Sequence, residues 1–173
     1  MSGLTIEGVA ARAGVGKATI YRRWSSKLPL VVDAITTLPE LRVPATGTLR
    51  GDLRQILRDL AKILRSSPLG GVLPRLAVER GSDSEVDAAF GRYVAVRRRS
   101  LIEVVRRGLE RGELPAGGDP EVLTDLLVGP IVNRLLFSHD TADPSFIEFV
   151  IATVLEGTRQ VARIRSSHAG ARR

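Results

Sequence analysis

Ile6-Glu7-Gly8-Val9-Ala10-Ala11-Arg12-Ala13-Gly14-Val15-Gly16-Lys17-Ala18-Thr19-Ile20-Tyr21-Arg22-Arg23-Trp24 holds two short helical patterns joined through glycine. Thr5 precedes them as a capping residue, and Glu7 in the first turn suits the positive end of a helix dipole. Ala10 is small where two helices must cross closely. Gly14 offers a corner with positive φ, and Val15 and Ile20 are expected to pack inward and set the inter-helix angle. The second helix, expected from Lys17 to Trp24, turns Ile20 and Trp24 to the core. It leaves Lys17, Ala18, Thr19, Tyr21 and Arg22 outward, the disposition of a helix-turn-helix that enters a major groove. Thr5 and the amide end of the first helix are placed to hold a phosphate.

Working outward, Pro39, Pro44 and Thr46-Gly47-Thr48 interrupt the periodicity and place a boundary after residue 38. Leu49, Leu53, Ile56, Leu57, Leu60 and Leu64 then recur at helical spacing until Ser66-Ser67-Pro68. A less regular helix is expected over residues 69–80, disturbed by Gly70-Gly71 and Pro74. Ser82 and Glu85 form a capping box before a long helix whose inner stripe is Val86, Phe90, Tyr93, Val94, Leu101, Val104 and Val105, ending near Gly112. Asp119-Pro120-Glu121 and Asp143-Pro144 each read as an N-cap followed by proline at the first helical position. They open two more helices of about 18 to 22 residues. No strand-length alternation occurs, so the fold class is all-α. The division is residues 1–38, residues 48–165, and a small, polar, basic tail at 166–173 that composition marks as disordered.

The last two helices are apolar over more than one face: Val122, Leu123, Leu126, Leu127, Val128, Ile131, Val132, Leu135, Leu136 and Phe137 on one, Phe146, Ile147, Phe149, Val150, Ile151, Val154 and Leu155 on the other. A surface helix needs a single apolar stripe, so this pair calls for a second cover. A second copy of the chain supplies it as a two-fold four-helix bundle, with Val128, Ile131, Leu135, Val150 and Val154 as interface candidates. The alternative places both helices at the centre of a monomer.

Leu4-Thr5, Val9-Ala10-Ala11-Arg12-Ala13-Gly14-Val15, Thr19-Ile20-Tyr21, Trp24 and Ser26-Lys27 together resemble the TetR family of bacterial-type transcriptional regulators. The resemblance is specific over residues 4–34; the C-terminal helices resemble the family in layout alone. It implies an N-terminal DNA-binding domain followed by a helical ligand-binding and dimerisation domain. It further implies that Lys17, Ala18 and Thr19 approach base edges of double-stranded operator DNA, that Tyr21 and Lys27 grip phosphates, and that Arg22 does either. Two departures stand out. Gly16 occupies a place where the family often has Ser, which removes a side-chain cap at a cost of a few tenths of a kcal/mol. The family also begins with one further helix covering the backs of Val9, Ile20 and Trp24, where this sequence has Met1-Ser2-Gly3. Either a start lies upstream or the fragment is truncated; a chain beginning here is expected to have a loosened DNA-binding unit.

With 173 residues the chain can bury a core unaided, and its net charge of +7 suits a polyanionic partner. It has no Cys, no signal-peptide pattern and no apolar run approaching the roughly 20 residues of a membrane span, so the cytoplasm is the expected compartment. No phosphate loop, paired-carboxylate signature or metal-ligand cluster is present, and neither an enzyme, a metal nor a cofactor is expected. His139-Asp140 lacks a nucleophile at recognisable spacing, and His168 falls in the tail.

Phe90, Tyr93 and Phe137 are pocket candidates for a small-molecule effector, although aromatics at helical spacing more often form core. Arg97 interrupts the apolar stripe and needs an ion pair or a ligand. The mechanism expected is repression relieved when an effector, bound between Leu49 and Phe137, shifts the spacing of two recognition helices. The rival reading is a dimeric ligand-binding or protein-interaction module that no longer binds DNA. A helical-bundle enzyme ranks last.

Overall fold

The computed structural model describes residues 5–36, 40–66, 78, 81, 84–138 and 140–170. Among them the backbone is helical, without strands. The elements are α1 (Ile6–Ala13), α2 (Lys17–Tyr21), α3 (Lys27–Thr36), α4 (Leu49–Ser66), α5 (Ser84–Glu110), α6 (Pro120–Val132) continued by a π-helical turn (Asn133–Phe137), and α7 (Pro144–Gly170). The helix expected over 69–80 and the side chains of the Ser82–Glu85 capping box lie outside the described residues. These residues group into two compact units, one drawn from 1–39 and 68–96 and the other from 40–67 and 97–173. The first half of α5 therefore groups with the N-terminal helices, across the linear division at residue 38.

In the N-terminal unit a small core is built from Ile6, Ala10 and Ile20, with Val9, Trp24 and Leu30 packed against it. The short, small-residue face of α1 lets α2 approach closely. Val31 and Val32 of α3 are also buried. Val15 is not part of this core as expected: its side chain is 42 % exposed. Its backbone is what the turn uses, because the Val15 amide donates to the Ala10 carbonyl at 3.0 Å while Gly14 donates to Ala11 at 3.3 Å. These are the paired bonds of a Schellman closure, which requires the left-handed φ of 67° that Gly14 adopts.

The C-terminal unit is larger in apolar content. α4 buries Leu49, Leu53, Ile56, Leu57, Leu60 and Leu64 along one stripe and packs on α6, the π turn and α7. Each such side chain contributes about 1.5–3 kcal/mol relative to exposure. Leu101, Val104 and Val105 of α5, Leu123, Leu127 and Ile131 of α6, and Ile147, Val150, Ile151 and Leu155 of α7 are buried as well. α5 ends at Glu110, as the Gly112 signal implied, and Gly112 adopts φ 73° in a second Schellman closure, with Glu113 donating to the Gly108 carbonyl at 3.0 Å.

Asp119 caps α6 by accepting from the Glu121 and Val122 amides. Asp143 caps α7 by accepting from the Phe146 amide at 2.8 Å. Pro130 deprives α6 of an interior amide, and the helix widens three residues later into the π turn, where Ser138 donates to the Asn133 carbonyl at 3.0 Å. α7 runs 27 residues, longer than expected, and continues through Gly170 past the Ser166 at which composition places the tail. Ala and Arg are strong helix formers, and Ser167 returns its hydroxyl hydrogen to the Arg163 carbonyl at 3.0 Å instead of competing for the backbone.

Candidate nucleic-acid interface

The surface formed by α1 and α2 is shaped by caps and corners before any charge is considered. Thr5 adopts extended backbone and accepts from the Gly8 amide at 3.0 Å, which starts α1 and orients its amide end outward. The Gly14 corner then redirects the chain, and Gly16 begins α2 without a side-chain cap, as its lack of a hydroxyl dictates. With Ile20 buried beneath, Lys17, Ala18, Thr19 and Tyr21 are all exposed on the outer side of α2, Tyr21 by 51 %.

The helix is shorter than the expected Lys17–Trp24. Regular α geometry ends at Tyr21, and Arg22 and Arg23 form a turn held by the Trp24 amide donating to the Ile20 carbonyl at 2.9 Å. Arg22 is exposed on that turn, and Lys27, half-buried, begins α3. The DNA-binding candidates Thr5, Lys17, Ala18, Thr19, Tyr21, Arg22 and Lys27 thus occupy α1, α2 and the start of α3.

Two interactions here escaped sequence reading. Lys17 Nζ lies 2.9 Å from Glu7 Oε1, an ion pair across the turn between side chains each about half exposed. The Lys17 hydrogen bond, ahead of the backbone bond and the charge itself, holds the Glu7 carboxyl below the usual carboxylate range. Asp33 of α3 accepts from the Trp24 indole at 3.2 Å and sits 3.6 Å from Arg23, whose guanidinium lies over the Trp24 ring at 4.9 Å. That assembly ties the turn after α2 to α3. Its only sequence signal is an acid nine residues beyond an aromatic.

The other predicted residues fall as follows. Phe90 and Tyr93 are buried with ring centroids 6.3 Å apart, and Arg97 is buried, whereas Phe137 is 58 % exposed. Ile131 and Val150 are buried within the protomer's own core, and Val128, Leu135 and Val154 are partly so. Val122 and Leu126 of α6 and Phe149, Val161 and Ile164 of α7 remain exposed, Phe149 by 68 %. A cleft of about 370 Å³ in the C-terminal unit is lined by Leu49, Arg50, Glu113, Ala152, Leu155, Glu156 and Arg159, and includes none of the four pocket candidates.

Beside it, sequence reading also missed a polar cluster around Asp52. This residue is 1 % exposed, accepts from both the amide and the hydroxyl of Thr46 at 2.7 Å, and faces Arg111 at 3.4 Å. Glu113 closes the cluster by accepting from the Leu49 amide at 2.6 Å. Arg98, next to the flagged Arg97, pairs with Asp125 at 2.8 Å.

Residues 1–34 match the model of bacterial regulatory proteins of the tetR family, and residues 43–154 match the Tetracyclin repressor-like C-terminal domain. The uncharacterized HTH-type transcriptional regulator YdeS of Bacillus subtilis is 31 % identical over 94 % of this chain and 83 % of its own length. The HTH-type transcriptional regulator AqdR of Rhodococcus erythropolis is 29 % identical over 86 % of this chain and 72 % of its own. The crystal structure of the TetR family transcription regulator SCO0332 superposes with a TM-score of 0.74 and 32 % identity, covering 90 % of this chain and 87 % of that one. No helix among the described residues is long and apolar enough to cross a membrane. Two matching domains in this order, over helices that place the motif outward, establish that the chain belongs to the TetR family of bacterial transcriptional regulators.

Proposed function

We propose that this DNA-binding regulator is a homodimeric repressor that leaves its operator when a small molecule binds the C-terminal unit. The observation that carries the reading is the outward set Lys17, Ala18, Thr19 and Tyr21 on a helix braced from below by Ile20 and redirected by Gly14. Lys17, Ala18 and Thr19 meet base edges; Thr5 with the amide end of α1, Tyr21 and Lys27 meet phosphates; Arg22 reaches either. Two copies of α2 address major grooves about one helical turn, or a multiple, apart. Exposed Val122 and Leu126 on α6 and Phe149 on α7, with half-buried Val128, Leu135 and Val154, support self-association through these helices. The cleft at Leu49, Glu113 and Arg159 supports effector entry near the start of α4. An effector acts by favouring an arrangement in which the two α2 helices no longer match groove spacing, so ligand and DNA oppose each other through one coupling free energy. DNA reading places the protein in the cytoplasm.

Selection of duplexes from a random pool, followed by mobility shift at two salt concentrations, tests this. The expected outcome is a palindromic consensus whose affinity falls steeply with salt, by a log-log slope of roughly 0.9 per phosphate contacted. A pool that shows no enrichment overturns it.

A further inference from the structure

We infer that Asp33 is a positioning residue for DNA reading: from α3 its carboxylate holds the exit of α2 through the Trp24 indole, and it keeps Arg23 with the fold while Arg22 is left to DNA. The inference rests on the proposal above that α2 enters the major groove. α2 is five residues long, and a helix that short is marginal in isolation, so its direction is set by what anchors its two ends. The Gly14 turn anchors the entry. At the exit the chain leaves through Arg22 and Arg23, whose amides donate to the Ala18 and Ile20 carbonyls at 3.0 Å. Trp24 follows and packs against the core of Ile6, Ala10 and Ile20, as does Leu30 of α3. Asp33 stands one turn after Leu30 and accepts from the Trp24 indole at 3.2 Å in a partly buried hydrogen bond. A bond to a charged acceptor is about twice as strong as a neutral one, and here it sets the ring's orientation against the core.

The same Asp33 oxygen lies 3.6 Å from Arg23 Nη2, and the Arg23 guanidinium lies over the Trp24 ring at 4.9 Å. Arg23 therefore has two attachments within the unit. Arg22 is exposed and forms no ion pair among the described residues. None of the Asp33 contacts involves Lys17, Ala18, Thr19 or Tyr21, so nothing in the proposed reading requires them to break. A reading side chain has to be held within about 0.5 Å of its productive place, whereas phosphate contacts carry no sequence information and survive small displacements. Loosening the exit of α2 thus costs affinity for the cognate sequence before it costs affinity for DNA in general.

The test measures binding of two labelled duplexes by fluorescence anisotropy over a series of salt concentrations. One is the duplex most enriched from the random pool, the other a scrambled duplex of the same composition. Asp33→Ala removes the acceptor, and Trp24→Phe removes the donor while keeping an aromatic ring. Each is expected to weaken the enriched duplex roughly 5- to 20-fold with scrambled-duplex affinity undiminished within about 2-fold, and the double variant is expected to be no weaker than the weaker single one. Asp33→Asn, which retains an oxygen acceptor, is expected to recover part of the loss. Trp24 is the chain's single tryptophan, so its own emission anisotropy in the DNA-free protein reports the joint and should fall in Asp33→Ala. Arg22→Gln is expected to lower the salt slope by about one, and Arg23→Gln by less than half as much. Should Asp33→Ala lose helix in circular dichroism, Asp33→Asn and the two arginine variants decide the question. Additive effects of Asp33→Ala and Trp24→Phe, equal weakening on both duplexes, or a salt slope that falls as far in Arg23→Gln as in Arg22→Gln would overturn the inference alone. If wild type itself fails to separate the duplexes, the proposal that α2 reads sequence falls, and this one falls with it.

Discussion

The N-terminal and C-terminal units close a helix in the same way and use the closure differently. At Gly14, with φ 67°, the Schellman turn redirects a chain whose underlying core is Ile6, Ala10 and Ile20, and the residues it exposes form the surface proposed to read DNA. At Gly112, with φ 73°, the same turn delivers Glu113 to the Leu49 amide, locking the start of α4 beside the buried Asp52. Around the first turn a thin core supports an exposed motif; in the second unit a deep core of long apolar side chains supports a polar joint. Thin cores fail locally when one contact is lost, whereas deep cores lose stability in increments. The two units should therefore answer substitution in different ways.

The largest effect is expected from Ile20→Ala. It removes a buried side chain from the smaller core, costs about 2–5 kcal/mol, and should abolish measurable operator binding. Most helical circular dichroism should survive, because the C-terminal unit is untouched. Loss of all helix at once would show that the two units stand or fall together. Next, the pair Leu126→Glu and Phe149→Glu puts charge on exposed apolar positions proposed for self-association. A loss of more than about 2 kcal/mol of dimerisation per site is expected in sedimentation equilibrium, with the monomer still folded.

Asp52→Ala leaves the Thr46 amide without its acceptor, while the Thr46 hydroxyl keeps the Thr48 carbonyl, and should cost about 1–3 kcal/mol, lowering the melting temperature by about 2–4 °C for each. Binding to the enriched duplex at 20 °C should be little changed. The smallest effect concerns the cap of α7. The Phe146 amide first, and then the Ser145 hydroxyl, hold the Asp143 carboxyl below its usual range. A depressed carboxyl contributes stability that is complete above its ordinary value and lost as pH falls through the lowered one. The melting difference between wild type and Asp143→Ala should thus be full at neutral pH and shrink on strong acidification. A difference that grows toward acid would reverse the sign of this assignment.

The helix-turn-helix was legible because its signals are local. Thr5, Gly14 and the Asp119-Pro120 and Asp143-Pro144 starts act through bonds within four or five residues, and each appears where it was read. Val15 was misplaced because an apolar residue just after a glycine corner looks like core, when the turn needs only its amide. The end of α7 was misjudged because small residues such as Ser167 also satisfy themselves on an i−4 carbonyl. Ile131 and Val150 show why the exposed apolar positions of α6 and α7 are hard to choose: on helices apolar over several faces, spacing alone does not say which face the protomer keeps. The Asp52 cluster joins residues as far apart as 46 and 113, and the Glu7–Lys17 pair needs the turn to be folded first. Neither leaves a pattern in a linear reading.

Methylation interference on the selected duplex tests the central claim most directly, since guanine N7 faces the major groove that α2 is proposed to enter. Two symmetric patches of interference are predicted, centred roughly 10 base pairs or a multiple apart, with the strongest guanine lost in Lys17→Gln. A single patch, uniform interference along the duplex, or a pattern unchanged by Lys17→Gln would contradict it.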